Sequence, residues 1–129
     1  MILELNDIQK EFINKKLNAL SKSKFRSSFH LRKYMYDYID KQSIEIIEKH
    51  CEDFINTRLS KYNNEKDGKQ TPTKGHPVFI AQHATACCCR GCLEKWHKIS
   101  KEKELNEKEK TFIKALIMTW IINEYNNRR

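Results

Sequence analysis

Glycine and proline interrupt regular structure most strongly, and this chain holds four of its five within ten positions, from Gly68 to Pro77. The long stretches on either side carry almost no breaker, so they are free to form helices. Apolar residues recur there at helical spacing, and strand-like alternation is weak throughout. A first helix is expected from about Asp7 to Leu20, with Leu5, Ile8, Phe12, Leu17 and Leu20 on one face and Asn6 or Asp7 as its cap. A short linker follows to Lys24, and a short helical piece is expected around Tyr34 to Ile39. A second long helix carries the stripe Ile44, Ile47, Cys51, Phe54, Ile55 and Leu59, capped by Asp40 or Ser43, with His50 beside the stripe. After the polar loop, His76-Pro77 opens a new helical region, since proline suits a first helical position. The last helix is marked by Asn106 and Glu109, which have capping-box spacing, followed by Phe112, Ile113, Leu116, Ile117, Trp120 and Ile121.

These signals predict an all-α fold: one compact domain, 1–129, of about five helices with one polar loop at about 62–76. Residues 1–24 read as a basic N-terminal helix and linker, and 25–122 as the core. At 129 residues the chain suffices for one modest core. Its most apolar stretch, Phe112 to Ile122, is too short to span a bilayer and contains Lys114. Glu4 and Asp7 break any apolar leader early. Four of the five cysteines crowd between Cys87 and Cys92, a poor disulfide framework, so reduced thiols or metal ligands in a cytoplasmic protein are expected. The loop sequence Gly68-Lys69-Gln70-Thr71 is not a phosphate-binding loop of the usual kind. Its first glycine is missing, no strand precedes it, and Pro72 stops a helix from following directly.

Charge is concentrated. Between Lys10 and Lys33 lie eight basic residues and one acid, Glu11, so that segment holds +7 of the total +8. Lys22, Lys24, Arg26, Arg32 and Lys33 interleave with Phe25 and Phe29, a pattern that offers cations to phosphates and rings to unpaired bases. A small basic helical nucleic-acid-binding protein is therefore the leading functional expectation. A regulatory subunit that meets an acidic protein partner is an alternative, and a solvated face is the simplest account.

The cysteine-rich segment allows three readings. Cys89-x-x-Cys92 with His97 has the opening spacing of a zinc knuckle, and His83 is a candidate fourth ligand, with Cys88 and His76 as alternates. On one uninterrupted helix, however, Cys89, Cys92 and His97 cannot meet: His97 lies about 140° around from Cys92 at 100° per residue. Zinc held by those residues needs a turn near Gly91. Alternatively, Cys88 and Cys92 chelate from one face. The second reading is that the thiols are simply core, because Cys88, Cys89 and Cys92 fall on an apolar stripe with Leu93, Trp96 and Ile99. The third is a small His/Cys-centred enzyme with a thiol nucleophile near His83 or His97, but no orienting third residue stands out and no catalytic residue can be named.

The runs Asp67-Gly-Lys-Gln-Thr-Pro72, Gly75-His-Pro-Val-Phe79, Ala81-Gln-His-Ala-Thr-Ala86 and Cys88-Cys-Arg-Gly-Cys-Leu-Glu-Lys-Trp-His97 resemble the signature of a bacterial family of domains of unknown function (DUF4186). Phe25-Arg-Ser-Ser-Phe29-His-Leu31, Asp53-Phe-Ile55 and Arg58-Leu59 are similar to it as well. The resemblance runs from about Phe25 to Trp120. It implies a shared polar site of Asp67, Lys69, Gln70, His76, Gln82, His83, Arg90 and His97. It also implies that Cys87, where relatives often carry Thr, is not a ligand, and that Cys51, where Ala is usual, packs. It implies no activity.

Overall fold

In the computed structural model, which describes residues 5–128, the chain is all-helical, with six α-helices and no strand among those residues. Glu4, expected with Asp7 to interrupt an apolar leader, lies outside the described residues. The helices are α1 (Asp7–Ser21), α2 (Lys33–Gln42), α3 (Ile44–Phe54), α4 (Pro77–Ala84), α5 (Arg90–His97) and α6 (Glu107–Asn126).

Helix starts follow local chemistry. In α1, Asn6 Oδ1 accepts from the Gln9 N–H at 2.8 Å, and Gln9 Oε1 accepts from the Asn6 N–H at 2.9 Å. Asn106 and Glu109 make the same reciprocal pair for α6 at 2.8 and 2.9 Å. Both satisfy donors that a first helical turn leaves orphaned. Ser43 caps α3 from a left-handed backbone (φ 84°), which turns the chain sharply between α2 and α3.

The core forms around α6. Ile113, Ala115, Leu116, Ile117, Met118 and Ile121 are all buried, which no single face of a helix could provide. Helices α1, α3 and α4 all pack on α6, while α2 packs on α3. Each large side chain that leaves water here contributes on the order of 1.5–3 kcal/mol. The stripe expected from Ile44 to Leu59 faces the core along α3 and the turn that follows it, with Ile47, Cys51, Ile55 and Leu59 fully enclosed and Ile44 and Phe54 half-buried. Lys114 of α6 reaches back to α3, 2.8 Å from Glu52 and 3.5 Å from Glu48. The α1 stripe differs from expectation: Ile13 and Leu20 are buried, whereas Ile8 and Phe12 are exposed. The helix is rotated so that Phe12 meets only the rim of the core, against Phe112.

Two departures from the expected elements matter more. The second long helix widens after Phe54 into a π-helical turn, Ile55–Leu59, before it stops. The region after Pro77 is two helices rather than one. Helix α4 ends in a paired reverse turn: the Cys87 N–H donates to the Gln82 carbonyl at 2.8 Å and the Ala86 N–H to that of His83 at 3.4 Å. Ala86 takes the left-handed conformation (φ 58°) that glycine usually supplies at this position. The Gln82 side chain donates to the Cys87 carbonyl at 3.1 Å and braces the turn. The break therefore falls at Thr85–Cys89, upstream of Gly91, which sits inside α5.

Arg90 holds this second half together. Its side chain is fully buried, with one Nη donating to the Ser60 carbonyl at 3.0 Å and the other to those of Ser100 (2.6 Å) and Lys103 (2.9 Å). One guanidinium thereby joins the end of the π turn, the start of α5 and the connection to α6. Lysine keeps the charge but lacks the planar fork. Arg90→Lys is expected to cost about 2–4 kcal/mol in urea denaturation, from lost carbonyl partners and an ammonium with poor solvation. Ile8→Ala, at an exposed position, should stay within about 0.5 kcal/mol of the parent. Equal stability of the two variants would overturn this account of Arg90.

Candidate metal centre

The turn after α4 sets the thiols. Cys88 and Cys89 follow it directly, and Cys89 caps α5, its Sγ accepting from the Cys92 N–H at 3.4 Å. Because Cys92 lies one helical turn on, the three sulfurs converge: Cys88, Cys89 and Cys92 have their Sγ atoms within 4.8 Å of one another. A tetrahedral zinc with Zn–S of about 2.3 Å needs sulfurs roughly 3.8 Å apart, so the donors are nearly in place. Cys88 and Cys89 are buried and Cys92 is partly exposed. The thiols are hard to ionise without a metal. Hydrogen bonding to Cys89, then burial, raises the pKa of Cys88; hydrogen bonding to Cys88, then burial, raises that of Cys92.

Arg26 completes the cluster. It lies in a single 3-10 turn after α1, and its side chain is turned inward. Nη1 donates to the His83 carbonyl at 2.7 Å and lies 3.6 Å from Cys88 Sγ, while Nη2 lies 3.2 Å from Cys92 Sγ. A guanidinium against two of the three sulfurs favours their anionic form and offsets the excess negative charge of a divalent metal held by three thiolates. Charge and spacing do not distinguish Arg26 from the cations around it, although it alone among them falls in the family-like run Phe25 to Leu31.

The loop between α3 and α4 is fastened to this centre. The Thr71 hydroxyl donates to the Cys88 carbonyl at 2.8 Å, and the Gly91 N–H donates to Asp67 Oδ1 at 3.1 Å. Asp67 is so close that a Cβ on Gly91 would stand 2.8 Å from its other oxygen, which explains a glycine there. His83 Nε2 donates to the carbonyls of Thr71 (3.1 Å) and Pro72 (3.0 Å), and its ring stacks on Phe29.

The expected site residues thus separate into groups. Cys89 and Cys92 meet Cys88, the former alternate. His97 stands apart from the sulfurs: its Nε2 donates to the Thr85 carbonyl at 2.8 Å, and burial lowers its pKa. His83 and His76 are likewise outside the three-sulfur group. His97 Nε2 is spent on the Thr85 carbonyl, His83 Nε2 on the loop carbonyls of Thr71 and Pro72, and the His76 ring on the Val78 N–H and His50. Cys87 is fully buried, away from the cluster, and burial pushes its thiol up to about 12. Asp67, Gln82, His83 and Arg90 act as braces, Lys69 is exposed, and Gln70 Oε1 accepts from the Gly68 N–H at 2.9 Å. Lys22, Lys24, Arg32, Lys33 and Phe25 lie on the surface, and Phe29 is half-buried.

His76 belongs to a second arrangement. Its Nδ1 accepts from the Val78 N–H at 3.0 Å and caps α4, so Nε2 carries the proton and donates to His50 Nδ1 at 3.0 Å. Tyr38, Phe54 and Phe79 enclose the pair. Burial, with His50 adjacent, lowers the His76 pKa to about 4 from 6.5. The unfolded chain therefore takes up this proton first. Stability from His76 is whole above pH 6.5 and is lost as pH falls toward 4, by about 2 kcal/mol at pH 5. Asparagine keeps a capping oxygen without titrating. Denaturation at pH 7 and pH 5 should show a loss smaller by that amount in His76→Asn; equal losses would refute the assignment.

The sequence profile described as "Domain of unknown function (DUF4186)" matches residues 14–122. No solved structure matches this fold. Among the described residues no helix is long and apolar enough to cross a membrane.

Proposed function

We propose that this chain, which belongs to the DUF4186 family, is a metal-binding domain whose Cys88, Cys89 and Cys92 hold a thiophilic divalent ion, zinc above all. The observation that carries the reading is the convergence of three sulfurs on one point beside a buried guanidinium. Sulfur donors select soft and borderline ions, and zinc accepts the tetrahedral arrangement. Three protein ligands leave the fourth position to a water or an external group. Partial exposure of Cys92 makes that position reachable from solvent. The bound metal would supply Lewis acidity, while Arg26 balances the charge and the loop braces fix the sulfurs.

Elemental analysis of protein purified without a metal-affinity step is expected to find about one zinc per chain. Cys92→Ser should lose it while retaining helical circular dichroism. Because the thiols must ionise to bind, acidification from pH 7 to 5 should release the ion. Five thiols titrated in denaturant without added chelator, no metal in the purified protein, and no zinc uptake by the folded chain in competition with a chromophoric chelator would overturn the reading.

A second reading, nucleic-acid binding, draws on the exposed rings of Phe25 (59%) and Tyr34 (55%) among surface cations. It predicts single-stranded oligonucleotide affinity that falls steeply between 50 and 200 mM salt, as counterion release requires. The combined change Lys22→Ala, Lys24→Ala, Arg32→Ala and Lys33→Ala should abolish it. Arg26 is left out because its side chain faces the sulfurs. Affinity unchanged by those four substitutions would reject this reading.

A further inference from the structure

Between the π turn and the polar loop lies a cavity of about 630 Å³, a size typical of small-molecule sites. Its wall includes Arg58, Lys61, Lys66 and Lys69, together with Asn63 and Gln70, and no carboxylate. Solvent screens the mutual repulsion of these four exposed cations, but an anion that enters the hollow meets all of them at once. Ion pairing hardly relieves them. Only Lys61 has a carboxylate partner among the described residues, Glu104 at 4.0 Å between two exposed side chains, a contact of little weight.

Two features show that the hollow is built. The Arg58 guanidinium is held over the rings of Phe54 (5.4 Å) and Phe79 (5.2 Å), which positions the charge without neutralising it. Arg58 stands on the π-helical turn, a distortion that recurs at functional sites. The second feature is Gln70, which is 9% exposed. Its Oε1 is engaged by the Gly68 N–H, which fixes the amide, and its Nε2 is then buried with no partner. A buried donor left unpaired costs on the order of 1–3 kcal/mol, and because Gln70 lines the cavity, a shift of its side chain would bring the amide to an acceptor that enters there. Gly68 makes its contact with Gln70 Oε1 possible through a left-handed backbone (φ 86°).

We propose that this cavity binds a small anion carrying two or more phosphate charges, with Arg58, Lys66 and Lys69 on the phosphate oxygens and the Gln70 amide turning outward to donate to the same group. Inorganic pyrophosphate and the diphosphate of a nucleotide share that chemistry. The site is separate from the three sulfurs and needs no metal. The polar loop nevertheless serves both, since Thr71 holds Cys88 and the adjacent Gln70 lines the cavity.

Calorimetric titration of the full chain at low ionic strength with pyrophosphate, ADP and a single-stranded 12-mer tests the proposal. Saturable binding of pyrophosphate or ADP is expected, weakened at least about tenfold by Lys66→Ala with Lys69→Ala. Both residues are exposed, so the fold should be retained. Gln70→Glu, which replaces the donor with a carboxylate, should abolish binding, with melting checked in parallel. Lys22→Ala with Lys24→Ala should leave it unchanged. Equal affinities for pyrophosphate and ADP would support recognition of the phosphates alone, and tighter ADP would add contacts from the amides. Absence of binding, binding of the 12-mer alone, or equal loss in the two lysine pairs would overturn the proposal.

Discussion

A guanidinium removed from water must find acceptors inside the protein, and Arg90 finds three backbone carbonyls. Each belongs to a segment that lacks regular structure to satisfy it: the end of the π turn and the connection between α5 and α6. The exchange works in both directions. The carbonyls gain a donor, and the charge gains dipoles in place of solvent. Ser60 marks the junction, since its carbonyl also accepts from the Leu105 N–H at 2.9 Å. With α5 held there, its N-terminus faces the polar loop, and the three sulfurs gather at that N-terminus.

The polar loop is therefore more than a connection. Asp67 binds the first turn of α5, Thr71 binds the Cys88 carbonyl, and His83 binds the loop backbone from α4. Four bonds from three directions fix a segment whose composition alone suggests mobility. The consequence appears at Gly91, where a Cβ would stand 2.8 Å from an Asp67 carboxylate oxygen and push it off its hydrogen bond. Arg26 adds the contribution of the N-terminal region. A cation from beyond α1 reaches the sulfurs, so the basic segment and the cysteine segment, distant in sequence, share one site. Around one cluster the fold thus sets a positive charge, three ionisable thiols and a rigid frame.

Much of the architecture was legible from local signals. The capping box at Asn106 and the Ile44–Leu59 stripe specify helices through contacts within a few residues, which a sequence displays directly. The crowding of four of the five glycines and prolines between Gly68 and Pro77 likewise marks the polar loop directly. The break between α4 and α5 was not legible, because Ala86 occupies a position where glycine would have signalled it. The π turn was equally silent, since Ile55 and Leu59 fit a regular helical stripe as well as a widened one.

The same division holds for the sites. Sequence by itself determined the helical class, the loop, and the presence of cysteines able to hold a soft metal, because periodicity, capping and residue chemistry act locally. Tertiary structure decided which sulfurs meet, that Arg26 turns inward, that His83 and His97 bind carbonyls, and that Arg58, Lys66, Lys69 and Gln70 surround one cavity. Those outcomes depend on where whole helices pack and on which buried donors and acceptors remain to be paired. Long-range satisfaction of that kind leaves no trace in spacing.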